Sequence, residues 1–452
     1  MIQFGEKPGY ATIVSTIVDG IARRILVAGE RLPPQRELAH QLGVAIATVG
    51  RAYTQLEQQG FVESHVGRGT FIAGGRTRSE KIDEPTSEII DLGTYRVPVP
   101  DLDTTLSDTL KAIIAEHHPQ QILGSSPTAG QPAHRRAMAQ WLEKYGINAS
   151  AGQIVITNGG QHATMAALST ITHAGEIIAT EECTDPRMKS VASYLDRRLI
   201  GVEMDADGMI PESLAELCQR ERIAAIYVTT RCQNPTNATL PLARRVAITE
   251  IARRFNLPII ESDIYGTIMA DPDPPIAALA PERTHFHTSL GRIAGPGMKV
   301  GCLVSPLNDV ARTQSGVGMS TGSATLIAAE IGARWITENR LDAMIRWQQA
   351  ENIRRLSLLA TFPLLGMAKT DIASPHVWLP LPEQWRAEDF VEAAAADGVT
   401  IAPTHSFVVG RRPMPHAVRL CIGSPPSVEA LQIACERLER LLGSQPKSSF
   451  ET

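Results

Sequence analysis

One stretch near the start of the chain, Leu32 to Ile72, leaves few folds open. Leu38, Ala39 and Leu42 recur on one side of a short helix over Arg36–Gln41, and Gly43 stops it with a residue that tolerates positive φ. Thr48 is read as opening a second helix, in which Val49, Ala52, Tyr53 and Leu56 repeat at helical spacing and face inward. That leaves Thr48, Arg51, Thr54 and Gln55 outside. Gly60 ends this helix. Phe61-Val62 and Thr70-Phe71-Ile72 then read as two short strands joined by the turn His65-Val66-Gly67-Arg68-Gly69. Helix, turn, helix and strand pair make a winged helix-turn-helix.

Such a unit reads duplex DNA. The outer face of the second helix fits a major groove, where the Arg51 fork matches guanine O6 and N7, and Arg36 adds a phosphate or base contact. In the wing, Arg68 beside Gly69 reaches phosphate or minor groove. Through Arg78 nine basic residues face six acidic ones, a net of +3. The whole chain carries −5, so the remainder carries −8, a mildly basic reader on an acidic body. With Thr48 these make the expected DNA-binding set Arg36, Thr48, Arg51, Arg68 and Gly69. The segment resembles the GntR family of bacterial regulators over residues 8–73, which implies a double-stranded DNA operator as partner.

At 452 residues the chain exceeds one core. Residues 74–90, polar and rich in turn formers, read as a linker, and residues 91–442 as the body, with a frayed tail from Gly443. In the body, short apolar runs at Ile154–Ile156, Glu176–Ala179, Ala224–Val228, Pro258–Ile260 and Val300–Val304 alternate with amphipathic helices, the pattern of an α/β fold with a largely parallel sheet. A smaller α/β segment is expected from about residue 330, with Ala417–Ile422 as a strand. No apolar run is long enough for a bilayer and Met1–Pro8 lacks a leader pattern, so a cytoplasmic protein without a membrane partner is expected. The six scattered cysteines read as free thiols. Neither they nor His117-His118 show metal spacing, so no metal is expected.

Landmarks of the body resemble, in order, a pyridoxal-phosphate-dependent transferase of aminotransferase fold type I, and its union with a GntR reader is similar to the MocR subfamily. The resemblance implies roles for particular residues. Gly160 and Gln161 of Asn158-Gly159-Gly160-Gln161 present helix N-terminal amides to a phosphate. Asn234, in Gln233-Asn234-Pro235, and Tyr265 face the cofactor's phenolic oxygen; Ser289 and Lys299 fall on phosphate-binding places; Arg419 falls on the arginine for a substrate carboxylate.

Other positions depart from that pattern. Arg292 stands where the family carries its Schiff-base lysine, and a guanidinium, protonated at any cellular pH, does not condense with an aldehyde. Ser262 replaces the acid that keeps the ring nitrogen protonated. Asp185 replaces the stacking aromatic residue, and Ser125 the tyrosine that reaches a phosphate across the dimer. Asp263 would compensate for Ser262 only through a strand bulge. The expectation is a non-catalytic sensor of a small anionic effector, amino-acid-like or phosphorylated, with no covalent cofactor. Pyridoxal phosphate or a relative would dock non-covalently, and the resemblance implies a homodimer, head-to-tail. The alternatives are a pyridoxal-phosphate enzyme using a lysine from elsewhere and a body that only dimerises.

Overall fold

The computed structural model describes residues 8–22, 26, 30–58, 61–65, 69–72, 89–94, 96–98, 100, 102–116, 119–269, 271–368, 373–410 and 415–445. Arg68, Gly60, His117, His118 and linker residues 74–88 lie outside them. The chain divides into two compact units, Met1–Thr86 and Ser87–Thr452.

In the first unit, helix α1 (Tyr10–Ala22) precedes α2 (Gln35–Leu42) and α3 (Ile46–Gln58), and strands Val62–His65 and Gly69–Ile72 pair antiparallel as the wing. Ile13 and Ile17 of α1, Leu38 of α2 and Val49, Ala52, Tyr53 and Leu56 of α3 share one buried core, as the helical period demands. Gly43 ends α2 at φ 63°, in the left-handed region where glycine has no Cβ to clash. Two boundaries differ from expectation. Thr48 does not open α3, which begins at Ile46, because Ala45 and Ile46 carry no polar side chain that competes for the backbone. The strands pair His65 with Gly69, so Gly69 belongs to the wing's second strand, not to its turn.

The second unit is built on seven strands in the order Ile154–Thr157, Gly301–Val304, Thr284–Ser289, Ile259–Ser262, Ile223–Thr229, Ile177–Glu181 and Arg198–Val202. Only Gly301–Val304 runs antiparallel to its neighbours, so the sheet is largely parallel, as expected. Helices cover both faces, which explains why the inner strands read as apolar runs and not as alternation. The long helix Arg340–Leu359 leads into a smaller lobe with its own core, including Val377, Phe390, Val418 and Leu438. That lobe begins later than residue 330, because helix Leu326–Thr337 buries Trp335 and Ile336 in the core of the large lobe. Ile90 is part of a strand and not of the linker: Ile90–Asp91 pairs in parallel with Val399–Thr400 of the small lobe. No helix among the described residues is long and apolar enough to cross a membrane, and all six cysteines are free.

Candidate functional site: a cationic cavity at the strand ends

A small cavity of about 50 Å³ opens where strands Ile259–Ser262 and Thr284–Ser289 end against the N-terminus of helix Gly160–Ile171. Gly159, the residue before that helix, has φ 84°, and the backbone turns there without a side chain to leave the Gly160 and Gln161 amides at the cavity wall. Ser289 and Arg292 arrive on a single turn of 3-10 helix, Leu290–Arg292, which Ser289 caps. The Ser289 hydroxyl donates to the Val300 carbonyl at 3.1 Å and receives the Gly291 amide at 3.4 Å. Arg292 lies with its guanidinium carbon 5.8 Å from the centre of the Tyr265 ring. Exposed Lys299 lines the wider groove outside the cavity, which shares Gly160, Gln161, Ser289 and Arg292 with it. Among the described residues, no lysine lines the cavity itself.

Of the residues singled out in the sequence, Gly160, Gln161, Asp185, Ser262, Ser289 and Arg292 meet at the cavity. Asn234, Tyr265 and Arg419 are buried and are not on its lining. Arg419 donates through Nη1 to Asn234 Oδ1 at 3.0 Å and through Nη2 to the Gly93 carbonyl, and Asn234 Nδ2 donates to Asp185 Oδ2 at 3.1 Å. Asn234 therefore bridges Arg419 and Asp185. Ser125 is exposed and lies on none of the cavity lining.

At the end of strand Ile259–Ser262 the cavity is lined by a hydroxyl and not by an acid. Ser262 lines it and shares a hydrogen bond with the Tyr227 phenol. Asp263 does not compensate: the strand register runs unbroken through Ser262, without a bulge, and puts Asp263 out of phase with it. Its carboxylate sits 3.1 Å from Arg231 Nη1, and Arg231 in turn holds Asp271 at 3.0 Å and the Asp273 carbonyl at 2.8 Å. Gly266 makes room for this arrangement, since a Cβ there would fall 2.1 Å from an Asp263 carboxylate oxygen.

Among the cavity residues that escaped sequence reasoning are Arg187 and His287. Arg187 is the second residue of helix Pro186–Tyr194, whose cap is Asp185. Its backbone N and Nε donate to Asp185 Oδ1, both at 2.9 Å, and its Nη2 to Oδ2 at 2.5 Å. Burial alone would raise the Asp185 carboxyl, but the Arg187 guanidinium and the Asn234 amide hold it well below the usual carboxylate range. A guanidinium in the first turn of a helix opposes the macrodipole, and that was the available signal. His287, only 1% exposed, has its imidazole pushed down to about 4 by burial and by the Arg187 charge, so it is neutral at physiological pH. It precedes Ser289 by two residues on one strand, and period two puts both on one face.

In the first unit, Arg36 and Arg51 are exposed, Thr48 is half-buried, and the Arg51 guanidinium rests 4.2 Å above the centre of the Tyr10 ring. Gly69, at φ 109°, passes so close to Arg31 that a Cβ would lie 2.7 Å from Nε.

Comparison with known proteins decides the class. Residues 9–72 match the family of bacterial regulatory proteins, gntR family, and residues 87–438 match aminotransferase class I and II. The chain belongs to the MocR type of gntR-family regulators. It is 28% identical over 447 residues to the HTH-type transcriptional regulator YdeF of Bacillus subtilis, covering 98% of this chain and 96% of that one. It is 24% identical to the vitamin B6 salvage pathway transcriptional repressor PtsJ of Salmonella typhimurium, over 86% of this chain and 92% of PtsJ. The pyridoxine biosynthesis regulator PdxR of Corynebacterium glutamicum is 29% identical over 63% of each chain. Among solved structures, an archaeal alanine:glyoxylate aminotransferase superposes with TM-score 0.71 at 23% identity, over 87% of this chain and 94% of that one. Kynurenine aminotransferase of Pyrococcus horikoshii superposes with TM-score 0.72 at 21% identity, over 79% and 91%. The MocR-type chain is thus a transcriptional regulator with a DNA-binding unit and an aminotransferase-like body.

Proposed function

We propose that the body senses a small anionic effector without covalent chemistry and passes its occupancy to operator binding. The observation that carries this is the make-up of the cavity: helix amides and the Arg292 guanidinium converge there beside Ser289, and its lining has no lysine among the described residues. A phosphate fits this set, with Lys299 at the outer groove to meet it on entry. A cofactor bonded through lysine does not fit, because Arg292 stands at the position the resemblance gives to that lysine. Ser262, bonded to a phenol, supplies no counter-charge for a protonated ring nitrogen. Pyridoxal phosphate held only by its phosphate is a second reading, favoured by the same cradle and by the vitamin B6 roles in the names of PtsJ and PdxR.

Head-to-tail dimers would pair two readers on two half-sites in the cytoplasm, the linkage raising the effective concentration of the second reader. Ser125, exposed on its own chain, would approach the partner's cavity. The test is fluorescence anisotropy on operator DNA with inorganic phosphate, glycerol 3-phosphate or pyridoxal phosphate added. The reading expects at least one to shift operator affinity and Arg292→Ala to abolish the shift. Indifference to all three anions would leave the body a dimerisation module. Turnover of an amino acid would make it an enzyme.

A further inference from the structure

The cavity has a second cationic wall that neither the sequence pattern nor the phosphate cradle uses. Arg187 spends Nε and Nη2 on Asp185, while its Nη1, with two N–H groups, has no acceptor among the described residues. The residue lines both the cavity and the outer groove. The Asp185 carboxylate, capped into the helix and bonded to Asn234, fixes the fork in place.

His287 faces the same space. The Thr164 hydroxyl donates to the Gly160 carbonyl at 3.1 Å, so its oxygen receives the His287 Nε2–H, also at 3.1 Å. The other ring nitrogen, Nδ1, is then an unprotonated acceptor. It is buried with no hydrogen-bond partner, 3.7 Å from where a Cβ on Gly160 would stand. A buried polar atom left this way is costly unless a ligand satisfies it. The cavity thus offers a free guanidinium edge for a carboxylate and, beside it, an acceptor for a hydroxyl or N–H.

The geometry points to a second ligand subsite, with Arg187 binding a carboxylate and His287 Nδ1 accepting from a hydroxyl or amine beside it. The effector is then a phosphorylated α-hydroxy or α-amino acid. This rests on the phosphate cradle proposed above and moves the carboxylate role from Arg419 to Arg187. Arg419 spends two donors on Asn234 and Gly93 behind the cavity, where it acts as a positioning residue.

The test is calorimetric titration of the full chain with glycerol 3-phosphate, which has the phosphate and hydroxyls, and with 3-phosphoglycerate, which adds the carboxylate. Wild type should bind 3-phosphoglycerate roughly tenfold tighter or more, the worth of a charge-assisted hydrogen bond. Arg187→Gln should remove that preference, bringing the two esters to equal affinity. Because that variant strands the Asp185 charge, Arg187→Gln/Asp185→Asn is measured beside it and should show the same loss. Equal affinity of wild type for the two esters, or a preference that survives in both variants, overturns the Arg187 subsite and leaves the phosphate cradle standing. Binding of neither ester, nor of inorganic phosphate, overturns the cradle itself.

Discussion

Ser262 and Asp263 are adjacent on one strand and should respond to alanine in opposite ways. Asp263 is 2% exposed and lies 3.1 Å from an arginine that is itself buried. Removing one member of such a pair leaves an uncompensated charge, a loss of roughly 3–5 kcal/mol. Arg231 keeps Asp271 and the Asp273 carbonyl, so Asp263→Ala belongs at the low end, about 3 kcal/mol. At roughly 2 °C per kcal/mol for a unit of this size, the body's melting temperature should fall by about 6 °C. Ser262→Ala removes only a hydroxyl shared with Tyr227, a loss of about 1 kcal/mol. Differential scanning fluorimetry reads both, and titration with pyridoxal phosphate reads the ligand side. Asp263→Ala should leave the ligand affinity of the folded fraction unchanged, while Ser262→Ala alters the cavity floor. The reverse result, unchanged melting with lost binding for Asp263→Ala, would place Asp263 in the cavity and refute the strand phase.

Other outcomes follow from the same geometry. Arg292→Lys should let pyridoxal phosphate form a borohydride-trappable adduct at residue 292 that wild type does not form, and peptide mapping would show the site; a wild-type adduct on any lysine of the body would favour an enzyme. Arg51→Ala should cost roughly 1–3 kcal/mol of operator preference in a gel-shift titration against scrambled DNA, whereas full discrimination would move base reading away from this residue. Glu330 is held down to about 2 by its hydrogen bond with His134, against burial and with help from Arg334, so its folded value lies below the ordinary 4.5. Its stabilising contribution is complete above pH 4.5 and is lost as pH falls through 2. Urea melts across that window should flatten for Glu330→Gln.

The reader was legible in the sequence because its helices are amphipathic and its turns use glycine. The strands Ile154–Thr157 and Ile223–Thr229 announced themselves as apolar runs. Thr284–Ser289 did not, because His285 and His287 break the apolar run. His285 is nonetheless fully buried, 3.2 Å from Ser305. The meeting of Gly160, Gln161, Ser289 and Arg292 at the cavity followed from motif order. The cavity's Arg187 wall did not, since a fork held by a residue two places back in the chain leaves no long-range pattern. Arg419 was read from its place in the order alone, and the order is silent on the contacts it makes with Asn234 and Gly93.

The short strand Ile90–Asp91 fastens the first described residues of the second unit to its small lobe. Its amides run to the small lobe, Ile90 N to Gly398 O at 2.8 Å and Leu92 N to Thr400 O at 2.9 Å, and Leu92 O receives the Cys421 amide at 2.9 Å. The seven-stranded sheet takes no part in this fastening. Whatever tilts the small lobe against the sheet therefore carries Ile90–Asp91 with it, as a handle travels with its door and not with the frame. Arg419, on the strand that ends one residue before Cys421 and bonded to the Gly93 carbonyl, sits at that fastening.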